Sequence, residues 1–186
     1  MNEYIPPTKF RQAARMLRHG EVIAYPTEAV YGLGCDPLNE QAIQKILTLK
    51  QRPLEKGMIL IAANFQQIED YIDIDETIKS LIIKTWPGPH TWIIPTQPWV
   101  PKSLTGNRNT LAVRVTNHPV AAQICKYFGG PIVSTSANPT GFQPPRTSLQ
   151  LKKYFIGENF FIVPGKTGRL NQPTTIQNAI TGEKIR

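Results

Sequence analysis

The chain has 186 residues, with 21 Lys and Arg against 13 Asp and Glu, and its formal net charge is +8. This length fits one domain and is sufficient to bury a hydrophobic core, since a domain usually has about 100–200 residues. The chain has no apolar run of membrane-spanning length, no signal-peptide core in residues 1–11 and only two cysteines, so we expect a protein of the reducing cytoplasm rather than a membrane or disulfide-rich secreted one.

The first fifty residues predict two helices with a strand between them. Apolar residues recur every three or four positions over residues 8–19, which is typical of an amphipathic helix. Residues 21–25 form a short apolar strand that Pro26 closes. A second helix begins after Asn39, whose side chain is a good N-cap, and extends to about Lys50.

The remaining residues alternate between further strands and helices. Helices are predicted over residues 64–71, 75–86 and 120–128. Strands are predicted over residues 58–62, 92–95, 111–115, 132–134 and 160–163, followed by a hairpin over residues 174–185. Because strands and helices interleave, we predict an α/β fold, a single-domain twisted open mixed sheet with flanking helices.

The positive charge is concentrated in one part of the chain. Residues 77–157 contain nine bases and no acid, so their net charge is +9, whereas the other 12 bases and 13 acids nearly cancel. Such a field attracts phosphates, nucleotides and RNA, although a generic solvated basic surface is the alternative. A site in this window has no paired carboxylates and no oxygen-rich metal cage, so its chemistry depends on cations, hydroxyls, amides and backbone N–H groups. The nine bases are Lys79, Lys84, Lys102, Arg108, Arg114, Lys126, Arg146, Lys152 and Lys153.

Residues 25–34 join the first strand to a glycine-containing loop. Thr27 and Glu28 follow a proline, and Gly32 and Gly34 permit backbone N–H groups to approach a ligand closely. An ordinary strand-to-loop turn is the alternative, because neither the GxxxxGK[ST] nor the GxGxxG phosphate-binding pattern is present.

Lys50 and Arg52 lie at the end of the second predicted helix. Pro53 disfavours a helical conformation at residue 52, so we expect both side chains to lie in extended chain and to project to the same side. An ammonium group beside a planar guanidinium suits phosphate oxygens. The alternative is that Lys50 merely binds carbonyl groups at the C-terminus of its helix.

Residues 133–141 begin as a strand and continue as a loop rich in small polar side chains, among them Ser134, Ser136 and Asn138. Open α/β sheets place ligands in loops beyond the carboxyl ends of strands. Hydroxyl and amide groups there can donate to phosphate or carboxylate oxygens. A local turn, in which Ser and Thr side chains bind their own backbone, is the alternative.

Taken together, these segments resemble the signature of the YrdC-like family. The motifs occur in the family's order and cover the chain from about Ala13 to its end, which makes the combination far more specific than any one motif. The chain resembles the short bacterial form, which implies a single domain over residues 1–186 and no additional C-terminal domain. The motifs are Lys50-x-Arg52, Ser136-x-Asn138, Pro26-Thr27-Glu28, Tyr31-Gly32-Leu33-Gly34, Trp86-Pro87-Gly88-Pro89 with Thr91, and Leu111-Ala112-Val113-Arg114-Val115 with His118-Pro119.

The resemblance implies a nucleotidyltransferase that condenses L-threonine, bicarbonate and ATP into L-threonylcarbamoyl-adenylate and releases pyrophosphate. The product supplies the threonylcarbamoyl group for N6-threonylcarbamoyladenosine at tRNA position 37. The implied fold is the YrdC-like sheet with a positively charged concave cleft. The expected cofactor is Mg²⁺ held by ATP, since no histidine or cysteine stands at metal-ligand spacing from another. The expected partners are proteins that transfer the threonylcarbamoyl group, and tRNA or double-stranded RNA is a further candidate.

The resemblance also implies roles for individual residues. Thr27 and Arg114 would bind threonine, and Lys56 lies in a stretch that varies in the family and is a candidate only. The implied catalytic residues are Lys50, Arg52, Ser136 and Asn138. The implied ATP-binding residues are Arg52, Thr110, Ser134, Ser136, Asn138, Thr174 and Arg186.

Two alternative functions stay open on the sequence alone. One is an RNA-binding module that uses the basic concave face without catalysis. The charge supports it, but such a module has no need of Thr27, Arg114, Lys50 and Ser136 as a set. The other is a carbamoyl-transfer domain of the same fold, as occurs within larger hydrogenase-maturation proteins, against which the short free-standing chain argues.

Overall fold

Eight short strands and six helices form the fold of residues 4–185, which are the residues that the computed structural model describes. The strands are β1 (Ile23–Pro26), β2 (Tyr31–Gly34), β3 (Ile59–Ala62), β4 (His90–Pro95), β5 (Thr110–Val115), β6 (Ile132–Ser136), β7 (Phe161–Ile162) and β8 (Thr175–Asn178). The helices are α1 (Pro7–Arg18), α2 (Glu40–Lys50), α3 (Glu76–Ile83), α4 (Lys102–Thr105), α5 (Pro119–Phe128) and α6 (Ser148–Tyr154).

The strands form one mixed sheet in the order β7-β1-β2-β6-β3-β5-β4-β8. The pairs β1–β7, β3–β5 and β4–β8 are parallel, and the other neighbours are antiparallel. The central strands β6 and β3 are therefore flanked by segments that are far apart in the sequence, the 23–34 hairpin on one side and β5 on the other.

The hydrophobic core lies on both faces of the sheet because alternate strand residues point in opposite directions. Ile23 and Tyr25 pack in a cluster with α1 and α5. Ala24, which lies between them, packs in the second cluster with α2. The helices α1 and α5 cover only part of their face: Ile132 of β6 belongs to their cluster, whereas Ser134 and Ser136 lie farther along the strand and are not covered by it.

Most of the predicted elements are confirmed, with small shifts at their ends. The Asn39 side chain accepts a hydrogen bond from the Ala42 backbone N–H at 2.9 Å, as expected for the N-cap of α2. Residues 64–71 form two 3-10 turns rather than a helix. Residues 174–185 form β8 and a single bridge between Gln177 and Lys184 rather than a full hairpin.

Three elements were not predicted from the sequence, namely strand β2 and the short helices α4 and α6. The first of these changes the interpretation of residues 25–34, which form a β1–β2 hairpin rather than a strand followed by a loop. No helix within residues 4–185 combines the length and the apolar character that crossing a membrane requires.

Candidate active site

A cavity of about 590 Å³ opens where α1 and α5 leave the sheet face uncovered. Its floor consists of same-face residues from three neighbouring strands: Ile59 of β3 lies directly opposite both Ala112 of β5 and Ser134 of β6. Arg114 and Ser136 extend this floor along β5 and β6. The volume is within the range of roughly 300–1,000 Å³ that is typical of small-molecule sites.

The structure brings most of the sequence-predicted site residues to this cavity, although they come from distant parts of the chain. Two of them, Lys50 and Asn138, do not line it, and Arg186 lies outside the described residues. The predicted residues that line the cavity are Thr27, Arg52, Thr110, Arg114, Ser134, Ser136 and Thr174, with Lys56 beside them.

Arg52 reaches the cavity because α2 ends in a left-handed residue. Gln51 has φ 49° and ψ 47°, which turns the chain sharply after Lys50. The Arg52 Nη2 atom donates to the carbonyl oxygen of Gly57 at 3.0 Å and to that of Lys56 at 3.3 Å. These bonds fix the guanidinium in the cavity wall, next to Lys56.

Lys50 does not lie in extended chain beside Arg52, which corrects the prediction from the Lys-x-Arg spacing. It is the last residue of α2, and it is 3% exposed. Its Nζ atom donates to the carbonyl oxygen of Asn138 at 2.7 Å and to that of Ser136. Burial, and secondarily the nearby Arg52 guanidinium, lower the pKa of Lys50 to about 7. Lys50 thus binds carbonyl groups, as the alternative interpretation supposed, but those of the last residue of β6 and of the following loop rather than of its own helix.

Asn138 shapes the same loop from the inside. Its Nδ2 atom donates to the carbonyl oxygens of Phe142 at 2.6 Å and of Pro139 at 3.0 Å. The backbone N–H of Thr140 donates to the Lys50 carbonyl oxygen at 2.8 Å. In the Ser-x-Asn pair, Ser136 therefore faces the cavity while Asn138 holds the turn behind it.

Arg114 is the most buried of the cations that line the cavity, with 4% of its surface exposed. Its Nη1 atom donates to the Thr174 hydroxyl at 2.7 Å and to the Thr91 hydroxyl at 3.4 Å. On the other side, its Nη2 atom is 3.3 Å from Glu28 Oε2. The Arg114 Nε atom has no hydrogen-bond partner among residues 4–185. A guanidinium held in this way can bind a ligand carboxylate, which pairs well with its planar N–H groups.

The β1–β2 hairpin brings Thr27 to the cavity, where its hydroxyl donates to the Val30 carbonyl oxygen at 2.7 Å. Gly32 and Gly34 lie within β2 rather than in a loop, and Gly32 lines the cavity. A Cβ atom at Gly34 would lie 2.6 Å from the Val133 carbonyl oxygen. The glycine at this position is therefore required by the close approach of β6, and not by a ligand.

The sequence did not indicate Arg108 as a cation of the cavity, and it gave Lys56 no definite role. Arg108 lines the wall, and its Nη2 atom donates to the Glu55 carbonyl oxygen at 2.5 Å. It lies in the acid-free window, but no motif distinguishes it from the other bases there. Lys56, a candidate only, lines the cavity in the 3-10 turn that follows Pro53.

The cavity is cationic: Arg52, Lys56, Arg108 and Arg114 line it together with several hydroxyl groups, and no Asp or Glu among the described residues does. No group of three or more His, Cys, Asp and Glu side chains within residues 4–185 could hold a metal ion. Preorganised cations and hydroxyls of this kind stabilise negative charge that develops on phosphoryl and carboxyl oxygens.

Comparison with known proteins places the chain in a family. A family model that covers the Sua5, YciO and YrdC proteins, described as telomere recombination, matches residues 15–186. The chain belongs to this Sua5/YciO/YrdC family. A relative from Enterobacter sp. (strain 638), named threonylcarbamoyl-AMP synthase, is 50% identical over 189 residues, which cover 100% of this chain and 99% of the relative.

Solved structures of the Sua5/YciO/YrdC family share the fold. P. abyssi Sua5 complexed with L-threonine has a TM-score of 0.91 and 33% identity, and the match covers 98% of this chain and 54% of that one, so this chain spans about half its length. E. coli YciO has a TM-score of 0.84 and 25% identity, with 99% and 93% of the two chains covered. These matches confirm the resemblance to the YrdC-like family and the predicted mixed sheet with flanking helices.

Proposed function

We propose that the cavity is the active site at which this chain forms L-threonylcarbamoyl-adenylate and pyrophosphate from L-threonine, bicarbonate and ATP. The observation that carries the proposal is the presence of Arg52 and Arg114, with several hydroxyl groups and no lining carboxylate, in one cavity. Each of the three substrates carries anionic oxygens that such groups bind. Relatives that match over the whole chain are named for this product, and P. abyssi Sua5 was solved with L-threonine.

We assign the substrates to different cationic residues of the cavity. Arg114 is buried and donates to the hydroxyls of Thr174 and Thr91, and Thr27 lines the same cavity, so we assign the threonine carboxylate to Arg114. Arg52 and Arg108 line the same cavity and are more exposed than Arg114, and they suit a triphosphate. Ser134 and Ser136 of β6 also line the cavity and can donate to the oxygens of either substrate.

The reaction needs no protein nucleophile. The threonine amine attacks the bicarbonate carbon and gives a carbamate and water. A carbamate oxygen then attacks the α-phosphorus of ATP, and the bond to the leaving pyrophosphate breaks. The surrounding cations favour the neutral amine that attack requires. The Arg52 guanidinium and the Ser136 hydroxyl stabilise the charge on the phosphoryl oxygens, and holding the reactants in one cavity supplies further acceleration.

Mg²⁺ would enter the site with ATP. Because the described residues offer the cavity no carboxylate, phosphate oxygens and water would supply its ligands. The ion would neutralise part of the triphosphate charge, while Arg52 and Lys56 contribute the remaining positive charge from the protein.

The RNA-binding module is not favoured as the main function. An RNA-binding face has no need of Arg114, Thr27 and Thr174 together in one cavity of small-molecule size. We place tRNA downstream of this chain, with proteins that transfer the threonylcarbamoyl group from the adenylate. The use of ATP and bicarbonate fits the cytoplasmic location that the sequence predicts.

Pyrophosphate release measured with ATP and bicarbonate, with and without L-threonine, tests the proposal. We expect release to require L-threonine and to fall roughly 10²–10³-fold in Arg52→Ala, since removing one transition-state donor typically costs this much. Arg11→Ala is the matched control, because Arg11 is exposed on α1 and does not line the cavity.

The two variants also separate catalysis from folding. Arg52→Ala should unfold at nearly the wild-type temperature, because the guanidinium is only partly buried. Threonine-independent release by the wild-type protein, or an Arg52→Ala activity that merely follows the folded fraction, contradicts the proposal.

A further inference from the structure

Glu28 is a buried acid to which the proposed reaction gives no role. It is 4% exposed, and it does not line the cavity. A carboxylate is almost never buried to this extent unless it is paired, because leaving water is costly for the ion. Its partners therefore indicate what it does.

Both carboxylate oxygens of Glu28 are engaged by residues at the end of β5. Its Oε1 atom accepts a hydrogen bond from the Thr116 hydroxyl at 2.5 Å. Its Oε2 atom lies 3.3 Å from Arg114 Nη2. Arg114 and Thr116 are two residues apart on extended chain and so project to the same side, which lets one carboxylate bridge both.

The backbone of Glu28 is also held in place. The Leu170 N–H donates to the Glu28 carbonyl oxygen at 3.2 Å, and the Gly168 N–H donates to that of Thr27 at 2.9 Å. A Cβ atom at Gly168 would lie 2.3 Å from the Glu28 carbonyl oxygen, so the two segments pack as closely as a glycine permits. The backbone of Glu28 is therefore fixed in a position from which its carboxylate reaches Arg114.

Glu28 and the hydroxyls of Thr91 and Thr174 contact different nitrogen atoms of the Arg114 guanidinium and hold it in place. Thr174 and Thr91 accept from Nη1, while Glu28 faces Nη2. Without Glu28 the guanidinium would be a buried cation with no anionic partner among residues 4–185, and its orientation toward the cavity would depend on two neutral hydroxyls. The carboxylate thus acts on the cavity through Arg114 and not by contact with a ligand.

We infer that Glu28 is a positioning residue that orients Arg114 to receive the carboxylate of the amino-acid substrate. The inference rests on the proposed function, in which Arg114 binds threonine. The inference extends the site from the cavity wall to a network of three side chains, Thr116, Glu28 and Arg114.

Calorimetric titration of Glu28→Gln with L-threonine tests this role, because glutamine keeps the shape and removes the charge. We expect the Kd for L-threonine to rise about tenfold or more, as when one partner of a buried charge pair is lost. The KM for ATP should stay within about twofold of the wild-type value, since Arg52 is untouched. Glu21→Gln is the matched control, because Glu21 pairs with Lys45 at the surface at 3.3 Å.

Thr116→Val supplies a second variant in case Glu28→Gln does not fold. It removes one anchor of the carboxylate but keeps the ion pair, so it should weaken threonine binding less than Glu28→Gln and in the same direction. Wild-type affinity for L-threonine in both variants, with only a lower unfolding temperature, overturns the inference. If the wild-type protein itself binds no L-threonine, the proposed function fails instead.

Discussion

At the scale of single residues, one intervening position separates Lys50 from Arg52, yet the two side chains serve different purposes. The left-handed Gln51 directs Arg52 to the cavity wall, whereas Lys50 binds carbonyl groups at the end of β6 and in the loop that follows it. A lysine that binds two carbonyl groups from the far end of β6 fixes the position of this loop relative to α2. We therefore expect Lys50 to contribute to the reaction indirectly, by holding this loop.

The lowered pKa of Lys50 predicts a pH dependence of stability. The folded-state pKa of about 7 lies below the ordinary value of 10.5, so between these values the unfolded chain binds a proton that the folded chain does not. The free energy of unfolding should therefore rise with pH across this window, and the cost of burying the charged lysine is fully present below pH 7.

Urea unfolding measured at several pH values between 7 and 9.5 tests this prediction. The wild-type protein should gain stability relative to Lys50→Met as the pH rises. Lys126→Met, which changes an exposed lysine of α5, should follow the wild-type slope. Parallel curves for Lys50→Met and the wild-type protein would show that Lys50 does not titrate in this range.

At the scale of elements, the β1–β2 hairpin and residues 165–170 form one packed unit at the cavity edge. The Tyr31 hydroxyl donates to the Gly165 carbonyl oxygen at 2.7 Å, and the backbone bonds to Thr27 and Glu28 continue the contact. The hairpin thus reaches its position through residues more than a hundred positions away. Anything that separates the two segments should move Thr27 and Glu28 together.

Gly168→Ala tests this coupling. The added Cβ atom would lie 2.3 Å from the Glu28 carbonyl oxygen, so one of the two segments must shift. We expect a loss of about 1–3 kcal/mol in the free energy of unfolding, as for other overpacked sites, and a higher KM for L-threonine. Gly130→Ala is the control, since a Cβ atom there meets only the Phe128 ring at 3.9 Å. An unchanged KM in Gly168→Ala would show that the two segments are not coupled.

The elements also show how far the sequence predicts the structure. Helix α2 follows from its apolar periodicity and its Asn39 cap, which are local signals. Strand β2 does not, because two of its four residues are glycines, which are depleted in strands, and pairing with β1 and β6 decides its conformation.

Some features of the candidate site could likewise be predicted from the sequence, and others depend on contacts between distant residues. The resemblance of the motifs predicted that Arg52 and Arg114 serve one site, and the structure places both at the cavity. The direction of the Lys50 side chain depends on the left-handed conformation of Gln51. A glycine is the usual sequence sign of such a conformation, and residue 51 is a glutamine. The role of Glu28 depends on partners in β5, far along the chain, which periodicity and spacing do not reveal.

At the scale of the whole molecule, the sheet order explains how the cationic cavity forms. Strand β6 lies between β2 and β3, and β5 lies beyond β3, so residues of the hairpin, of the loop after α2 and of β5 line one cavity. Only Arg108 and Arg114 of the nine bases in residues 77–157 line the cavity. Arg52 and Lys56 come from the charge-balanced part of the chain. The net charge of +8 is therefore a weaker guide to the site than the local set of cations.

A crystal structure of this protein with L-threonine and a non-hydrolysable ATP analogue tests the central claim most directly. We predict that the threonine carboxylate lies within hydrogen-bond distance of the Arg114 guanidinium and that the triphosphate lies against Arg52, both inside the cavity. Ligands bound elsewhere on the surface, or a cavity that stays empty while both ligands are present at saturating concentration, would contradict the assignment of this cavity as the active site.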